Sequence, residues 1–334
     1  MYVLGSIMRH ICRLALWPGL LFIFFSGFSE AQSGQPLADA TPRYAVYYNS
    51  DATPLSAVRK SDYSHVILSF VRVVADDAGK LVIMPPEHML GQWKSVSALK
   101  SAGKTVMISF GGGLADTAEY TALVGREPEV AELLASWVES KNLDGIDIDF
   151  EADAMFHQER QPNVGNGREF LIDLTRALRQ HLPAPRYLLS HAPEPPFLDP
   201  DWHNGPYLDV LANVGDQIDW IAVQYYNNGT YDNPVPGTSE IARTDTTYAG
   251  LTDASGHLQW PPRKVMVGKP IYHADASNGH LSPDDVISQI IKPLIEVYGA
   301  DFGGLVGWQY SDLTDDHRAW NYRVGRALKR KHKN

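Results

Sequence analysis

Cysteine is nearly absent from this sequence. The single Cys12 lies in the apolar N-terminal stretch, so the chain offers no pair for an internal disulfide and no cysteine cluster for a metal. Stability must therefore come from a hydrophobic core, and 334 residues that are 44% hydrophobic are enough to build one. The histidines show no metal-ligand spacing, and we predict neither a metal nor any other cofactor.

Positive charge is also in short supply. The chain carries 29 Lys and Arg against 39 Asp and Glu, a net charge of −10 at pH 7. This balance disfavours nucleic acids and anionic membranes as partners. The basic residues at 329–334 are therefore interpreted as a solvated tail.

No long apolar run follows the N-terminal stretch. Within that stretch, Arg9 and Arg13 precede an apolar run over residues 14–28, which small residues follow. This pattern predicts a secretory signal peptide over residues 1–31, and hence a secreted or periplasmic protein without membrane contact after cleavage. An uncleaved membrane anchor is the alternative, although the run is short for a membrane span. Residues 32–42 are predicted to be a flexible polar lead-in.

Short apolar segments alternate with amphipathic helical segments between residues 43 and 328. The apolar segments are rich in β-branched and aromatic residues and predict strands. Connections long enough for a helix favour parallel pairing, and eight such units predict an α/β fold, a single-domain (β/α)8 or TIM barrel. The eight predicted strands are Tyr44–Tyr48, His65–Phe70, Thr105–Phe110, Leu143–Glu151, Tyr187–Ala192, Trp220–Tyr226, Val265–Lys269 and Leu305–Tyr310.

The fourth predicted strand carries an unusual column of acids. Asp147, Asp149 and Glu151 fall at alternate positions, with only apolar residues between them. On a strand these acids share one face, which the apolar opposite face predicts to point into the barrel. Carboxyl groups crowded in this way cannot all ionise at their usual pKa, so at least one should stay protonated near neutral pH, as a general acid requires. A solvated acidic edge strand and a cation site are the alternatives.

Other residues capable of chemistry also follow predicted strands. Functional residues of TIM barrels collect at the C-terminal strand ends, so these side chains should surround one site. They are Asn49, Phe70, residues 109–113, Glu194, residues 224–228 and residues 308–311.

These segments together resemble glycoside hydrolase family eighteen, the chitinases and endo-β-N-acetylglucosaminidases. The resemblance covers residues 44–311. The motif D-x-x-D-x-D-x-E on the fourth strand is matched by Asp144, Asp147, Asp149 and Glu151, S-x-G-G by Ser109, Gly111 and Gly112, Q-x-Y-N by Gln224, Tyr226 and Asn227, and the eighth-strand tryptophan by Trp308; Tyr47 and Phe70 are also similar.

The resemblance implies a substrate-assisted retaining mechanism in residues 43–328, the catalytic domain. Glu151 would protonate the glycosidic oxygen and later act as base. Asp149 would orient the substrate's 2-acetamido group, whose carbonyl oxygen attacks C1, and Asp147 would share a proton with Asp149. Tyr226 would hold the acetamido carbonyl near C1.

The resemblance also implies supporting roles for the remaining motif residues. Trp308 would lie under the sugar, and Tyr47 and Phe70 would form walls of the same subsite. Gln224 and Asn227 would bond sugar hydroxyls or orient the catalytic groups, with a strand-end cap as the alternative. Structural support for the site is predicted for Asp144 and for three residues at the end of the third strand, Ser109, Gly111 and Gly112.

The resemblance leaves three functions open. The first is a monomeric chitinase acting on chitin or N-acetylglucosamine oligosaccharides; the short segment between residues 270 and 304 has no room for an extra domain, which implies an open groove and endo-type cleavage. The second is an endo-β-N-acetylglucosaminidase that cleaves N-glycan cores. The third is a catalytically silent chitin-binding lectin.

Overall fold

Eight parallel strands close into a barrel at the centre of the molecule. The computed structural model describes residues 42–157, 163–235 and 244–329, so the predicted leader and most of the lead-in and basic tail lie outside the described residues. Strand β1 pairs with both β2 and β9, which closes the sheet and confirms the (β/α)8 prediction. The strands are β1 (Arg43–Tyr48), β2 (His65–Ala75), β3 (Leu81–Met84), β4 (Thr105–Gly111), β5 (Gly145–Asp149), β6 (Leu188–His191), β7 (Trp220–Gln224), β8 (Val265–Pro270) and β9 (Gly304–Trp308).

Strand β3 is the one strand that the sequence analysis did not predict. Strand β2 continues beyond Phe70 to Ala75 and pairs there with the antiparallel β3, outside the barrel. The Asp76 side chain closes the turn by accepting from the backbone N–H groups of Ala78 and Lys80. The barrel itself keeps the eight predicted strands.

Helices connect and cover the barrel strands. Asn166 caps the longest helix, α4, by accepting from the backbone N–H of Arg168, and Pro128 lies in the first turn of α3. Two π-helical segments, Val286–Ile291 and Trp320–Val324, join α7 to α8 and α9 to α10. The helices are α1 (Lys94–Ser101), α2 (Thr117–Thr121), α3 (Glu127–Ser140), α4 (Gly167–His181), α5 (Pro206–Val214), α6 (Tyr248–Thr252), α7 (Pro283–Asp285), α8 (Lys292–Tyr298), α9 (Asp315–Ala319) and α10 (Gly325–Lys329). Within the three described ranges, none of the helices has the length and apolar character needed to cross a bilayer.

Alternation along the strands separates two apolar layers. On β5 and just beyond it, Ile146, Ile148 and Phe150 are fully buried between the barrel and its helices. Inside the barrel, Trp220 packs below the site, with the Arg43 guanidinium 4.7 Å from its ring centroid. Because side chains fill the interior, a ligand can reach the barrel only from the C-terminal ends of the strands.

Candidate active site

The Asp147 carboxylate lies at the centre of the barrel and is held by three hydroxyl groups. Ser109 and Tyr47 donate to its Oδ2 at 2.8 and 3.0 Å, and Ser190 donates to its Oδ1 at 2.6 Å. Ser109 and Ser190 are its register partners on the two neighbouring strands. Burial raises the pKa of Asp147 to about 6, although the three hydroxyl donors favour its charged form.

Asp149 lies one step closer to the barrel mouth. The Gln224 amide donates to Asp149 Oδ1 at 2.7 Å and to the Ala192 carbonyl at 3.0 Å, which fixes the orientation of the amide. Burial, and then the charges of Glu151 and Asp147, raise the pKa of Asp149 well above its ordinary value. Burial and these neighbouring charges therefore favour the protonated form of Asp149.

Glu151 follows β5 at the mouth of the barrel and is partly exposed. Burial raises the pKa of Glu151, while hydrogen bonds with Gln224 and Asp149 lower it. The bond between Glu151 and Asp149 has the opposite effect on Asp149, whose pKa it raises. The protonation of Asp149 and that of Glu151 therefore depend on each other, and the sharing of a proton between Asp147 and Asp149 stays a prediction.

Three aromatic side chains form one wall of the site. The Phe70 and Trp308 rings stack with centroids 5.7 Å apart, and Tyr47 meets the Trp308 ring edge-on at 5.8 Å. The indole N–H of Trp308 donates to the Asp275 carbonyl at 3.0 Å, which fixes the ring plane. Trp308 and Phe70 are partly exposed, so the wall offers an apolar surface to a ligand.

Two glycines at the end of β4 allow this wall and the acids to approach each other. Gly111 has a φ of +110°, and a Cβ on it would lie 2.2 Å from the Asp149 carbonyl oxygen. Gly112 has a φ of +78°, and a Cβ on it would lie 2.6 Å from the Phe70 ring. Both positions therefore require glycine, for space as well as for backbone conformation.

A Gly112→Ala variant should weaken substrate binding, because the added methyl group must displace Phe70 from the wall. Loss of about 1–1.5 kcal/mol of aromatic contact corresponds to a rise in KM of about tenfold. Gly103→Ala is the matched control, since Gly103 has a similar φ of +81° but open space around its Cβ position. Both variants should lose about 1–3 kcal/mol of stability through backbone strain. Equal KM values for the two variants would contradict the assigned role of Phe70.

The loop after β7 brings Tyr226 to the site. Burial, and then the charges of Asp149 and Glu151, raise the pKa of Tyr226 well above its ordinary value, so its hydroxyl stays protonated and can donate. Asn227, predicted to contact substrate or cap the strand, is exposed, and its Oδ1 accepts from the Ser277 N–H and hydroxyl at 2.8 and 2.9 Å. Its carboxamide oxygen thus joins the loop after β7 to the segment after β8, and its role as a substrate contact or a strand-end cap stays a prediction.

Glu194 and Asn228 were expected near the site from their positions after predicted strands, without a role, whereas Ser190 was not predicted there. The Asn228 side chain donates to the carbonyl oxygens of Tyr226 at 2.8 Å and Gln224 at 3.3 Å. Burial, and then the charge of Glu151, raise the pKa of Glu194 to about 7, and Asn228 hydrogen-bonds to that carboxyl group. Ser190 lies within a predicted strand rather than after one, so its position gave no such signal.

Two conspicuous residues lie away from this cluster. The Asp144 carboxylate accepts from the Val106 N–H at 2.8 Å and pairs with Lys100 at 2.8 Å, at the opposite end of the barrel. His191 faces the helices rather than the acids, and its ring nitrogens lie 3.1 Å from the Thr175 hydroxyl and 3.2 Å from the Tyr207 hydroxyl. Burial lowers the pKa of His191 to about 3, so it stays neutral. Among the side chains of the described ranges, no group of three or more His, Cys, Asp or Glu could hold a metal ion.

Solved structures share this barrel. A GH18 chitinase from Pseudoalteromonas aurantia has a TM-score of 0.73 and 31% identity, and the match covers 86% of this chain and 100% of that chain. A xylanase and α-amylase inhibitor protein from Scadoxus multiflorus has a TM-score of 0.55 and 18% identity, over 86% of this chain and 97% of the other. The second likeness shows the fold alone.

Curated relatives lead to the same family. Chitinase D of Niallia circulans is 25% identical over 267 residues, which are 72% of this chain and 49% of that protein. The match spans about half the length of that relative. Two other curated relatives are matched over 14% and 37% of their lengths. The sequence model described as "Glycosyl hydrolases family 18" matches residues 43–331. With the match covering nearly all of the barrel, the chain belongs to glycosyl hydrolases family 18.

Proposed function

We propose that the protein is a secreted chitinase that hydrolyses β-1,4 linkages between N-acetylglucosamine units by substrate-assisted catalysis, with retention of configuration. The observation that carries this proposal is the column of Asp147, Asp149 and Glu151, of which the first two are buried and the third is partly exposed at the mouth of the barrel. Burial raises the pKa of both Asp149 and Glu151, which supports a protonated acid at this pair. A catalytically silent protein on this barrel would have no need of such a pair.

The first step places that proton on the leaving group. When the acetamido N–H of the substrate approaches Asp149, it stabilises the charged carboxylate, and the Asp149 proton moves to Glu151. Glu151 then donates it to the glycosidic oxygen as the bond from that oxygen to C1 breaks. The acetamido carbonyl oxygen forms the new bond to C1 and yields an oxazolinium ion, whose positive charge lies beside the Asp149 carboxylate.

The second step regenerates the enzyme. Glu151, now a carboxylate, removes a proton from a water molecule that attacks C1, and the ring of the oxazolinium ion opens. The acetamido group and the water attack in turn from opposite faces, so the anomeric configuration is retained. Tyr226 would donate its hydroxyl to the acetamido carbonyl, and the wall formed by Trp308, Phe70 and Tyr47 would hold the sugar ring.

Endo-type action and a monomeric state complete the proposal. The segment between β8 and β9, from Ile271 to Gly303, contains helices α7 and α8 and loops but no strand, which supports an open groove over a tunnel. Secretion is supported by the apolar N-terminal stretch of the sequence, with Arg9 and Arg13 before it.

The purified chain should be incubated in parallel with chitopentaose, cellopentaose and a high-mannose glycoprotein, and the products weighed by mass spectrometry. We expect shorter chito-oligomers and no cleavage of cellopentaose, because cellulose lacks the acetamido nucleophile. Cleavage of cellopentaose would contradict substrate assistance. A glycoprotein trimmed to one N-acetylglucosamine would favour an endo-β-N-acetylglucosaminidase, and chitin binding without cleavage would favour a lectin.

A further inference from the structure

A buried lysine closes the loop that carries Tyr226. Lys269 lies on β8 and is 1% exposed, and its ammonium group donates to the carbonyl oxygen of Tyr225 at 2.6 Å and to that of Asp232 at 3.0 Å. These two carbonyls stand at the beginning and the end of one loop, residues 225–232. A single ammonium group therefore joins both ends of the loop.

The loop has a pocket beside it. This pocket has a volume of about 370 Å³, and its lining includes Gly229, Asp232, Lys269 and Gly279. Apolar packing on this side therefore contributes less to the position of the loop than it does within the barrel wall. Hydrogen bonds therefore contribute more to holding this loop in position.

The two hydrogen bonds from Lys269, here called the clamp, require a charged group to be buried. Burial lowers the pKa of Lys269 to about 8, so the fold works against its charge, and the nearby Asp232 carboxylate offsets part of that penalty. The Asp232 carboxylate also accepts from the backbone N–H of Asn228 at 2.9 Å, which links the clamp to the middle of the loop. An apolar side chain would avoid the cost of the charge but would leave both carbonyl oxygens without this donor.

Tyr226 follows directly after one of the clamped carbonyls. On its other side, Gly279 lies so close that an added Cβ would be 2.6 Å from the Tyr226 Cα. Tyr226 is therefore confined between the clamp and the segment that follows β8. A shift of the Tyr225 carbonyl would be transmitted to the Tyr226 hydroxyl through one residue of backbone.

We propose that Lys269 is a positioning residue for Tyr226, which it holds at the height where the hydroxyl can meet the acetamido carbonyl of the substrate. The inference rests on the proposed function, since it concerns the group that Tyr226 orients. Lys269 itself does not contact the substrate in this proposal. Its effect should appear in kcat, because correct placement of the acetamido group matters most in the transition state.

Lys269→Met should lower kcat on chitopentaose by about 10- to 100-fold with KM changed less than about threefold, since a displacement near 1 Å can cost this much. Lys269→Arg keeps a charged donor and should recover part of the loss. Lys264→Met is the matched control, because Lys264 also donates to two backbone carbonyls, of Gly215 at 3.2 Å and Ile218 at 2.6 Å, at the opposite end of β8. It should lower the melting temperature and leave kcat unchanged.

The decisive measurement is a double-mutant cycle with Tyr226→Phe. If Lys269 acts through Tyr226, adding Lys269→Met to Tyr226→Phe should lower kcat further by less than about threefold. An equal loss in both backgrounds, or a wild-type kcat in folded Lys269→Met, would overturn the inference. If Lys269→Met does not fold, the same cycle is run with Lys269→Arg. Inactivity of the wild-type chain on chitopentaose would instead refute the proposed function, so the two failures are distinguishable.

Discussion

Glu151→Gln should lower kcat on chitopentaose by about 10⁴-fold or more, while binding of the oligosaccharide remains. A single acid–base contribution is worth about 10²–10⁴-fold, and Glu151 serves in both steps, first as the acid and then as the base. The amide keeps the size of the side chain and can still hydrogen-bond to its neighbours. It has no proton to give to the glycosidic oxygen.

The measurement is kcat by product mass, with the dissociation constant of chitopentaose measured on the inactive variant. Asp153→Asn is the control, because Asp153 is an exposed carboxylate two residues further along the same loop. It should change kcat less than about twofold, as surface substitutions usually do not perturb a site. Near-normal turnover by Glu151→Gln would remove the proposed mechanism.

Asp149→Asn should lower kcat by about 10²–10³-fold, the range found when one preorganised electrostatic contact to a transition state is lost. The amide cannot carry the negative charge that stabilises the oxazolinium ion. It also cannot supply a proton to Glu151, as the proposed first step requires. The amide of Gln224, 2.7 Å from Asp149 Oδ1, would in addition face a neutral group.

Asp144→Asn is the matched control for this variant, because Asp144 belongs to the same acidic motif but lies at the other end of the barrel. Its loss of charge weakens the pair with Lys100, which is largely buried on the Asp144 side. We expect a lower melting temperature and a kcat within about threefold of wild type. A larger loss of kcat in Asp144→Asn than in Asp149→Asn would contradict the assignment of the catalytic pair.

Much of the fold was predictable because its signals are local. Strand geometry places Asp147 and Asp149 on one face and Ile148 and Phe150 on the other. Eight predicted strands with connections long enough for a helix leave few ways to pair. The hairpin between β2 and β3 was missed, since it continues a strand past the point where the barrel pairing ends.

Residue types and spacing thus established the acidic column, the barrel and the candidate family of this chain. Partners remote in sequence came only from the folded chain: Ser190 beside Asp147, Gln224 beside Asp149, and Lys269 beside Tyr225. Register across neighbouring strands and the path of loops set these distances. Both depend on packing of the whole barrel, whereas alternation along a strand depends only on the backbone of that strand.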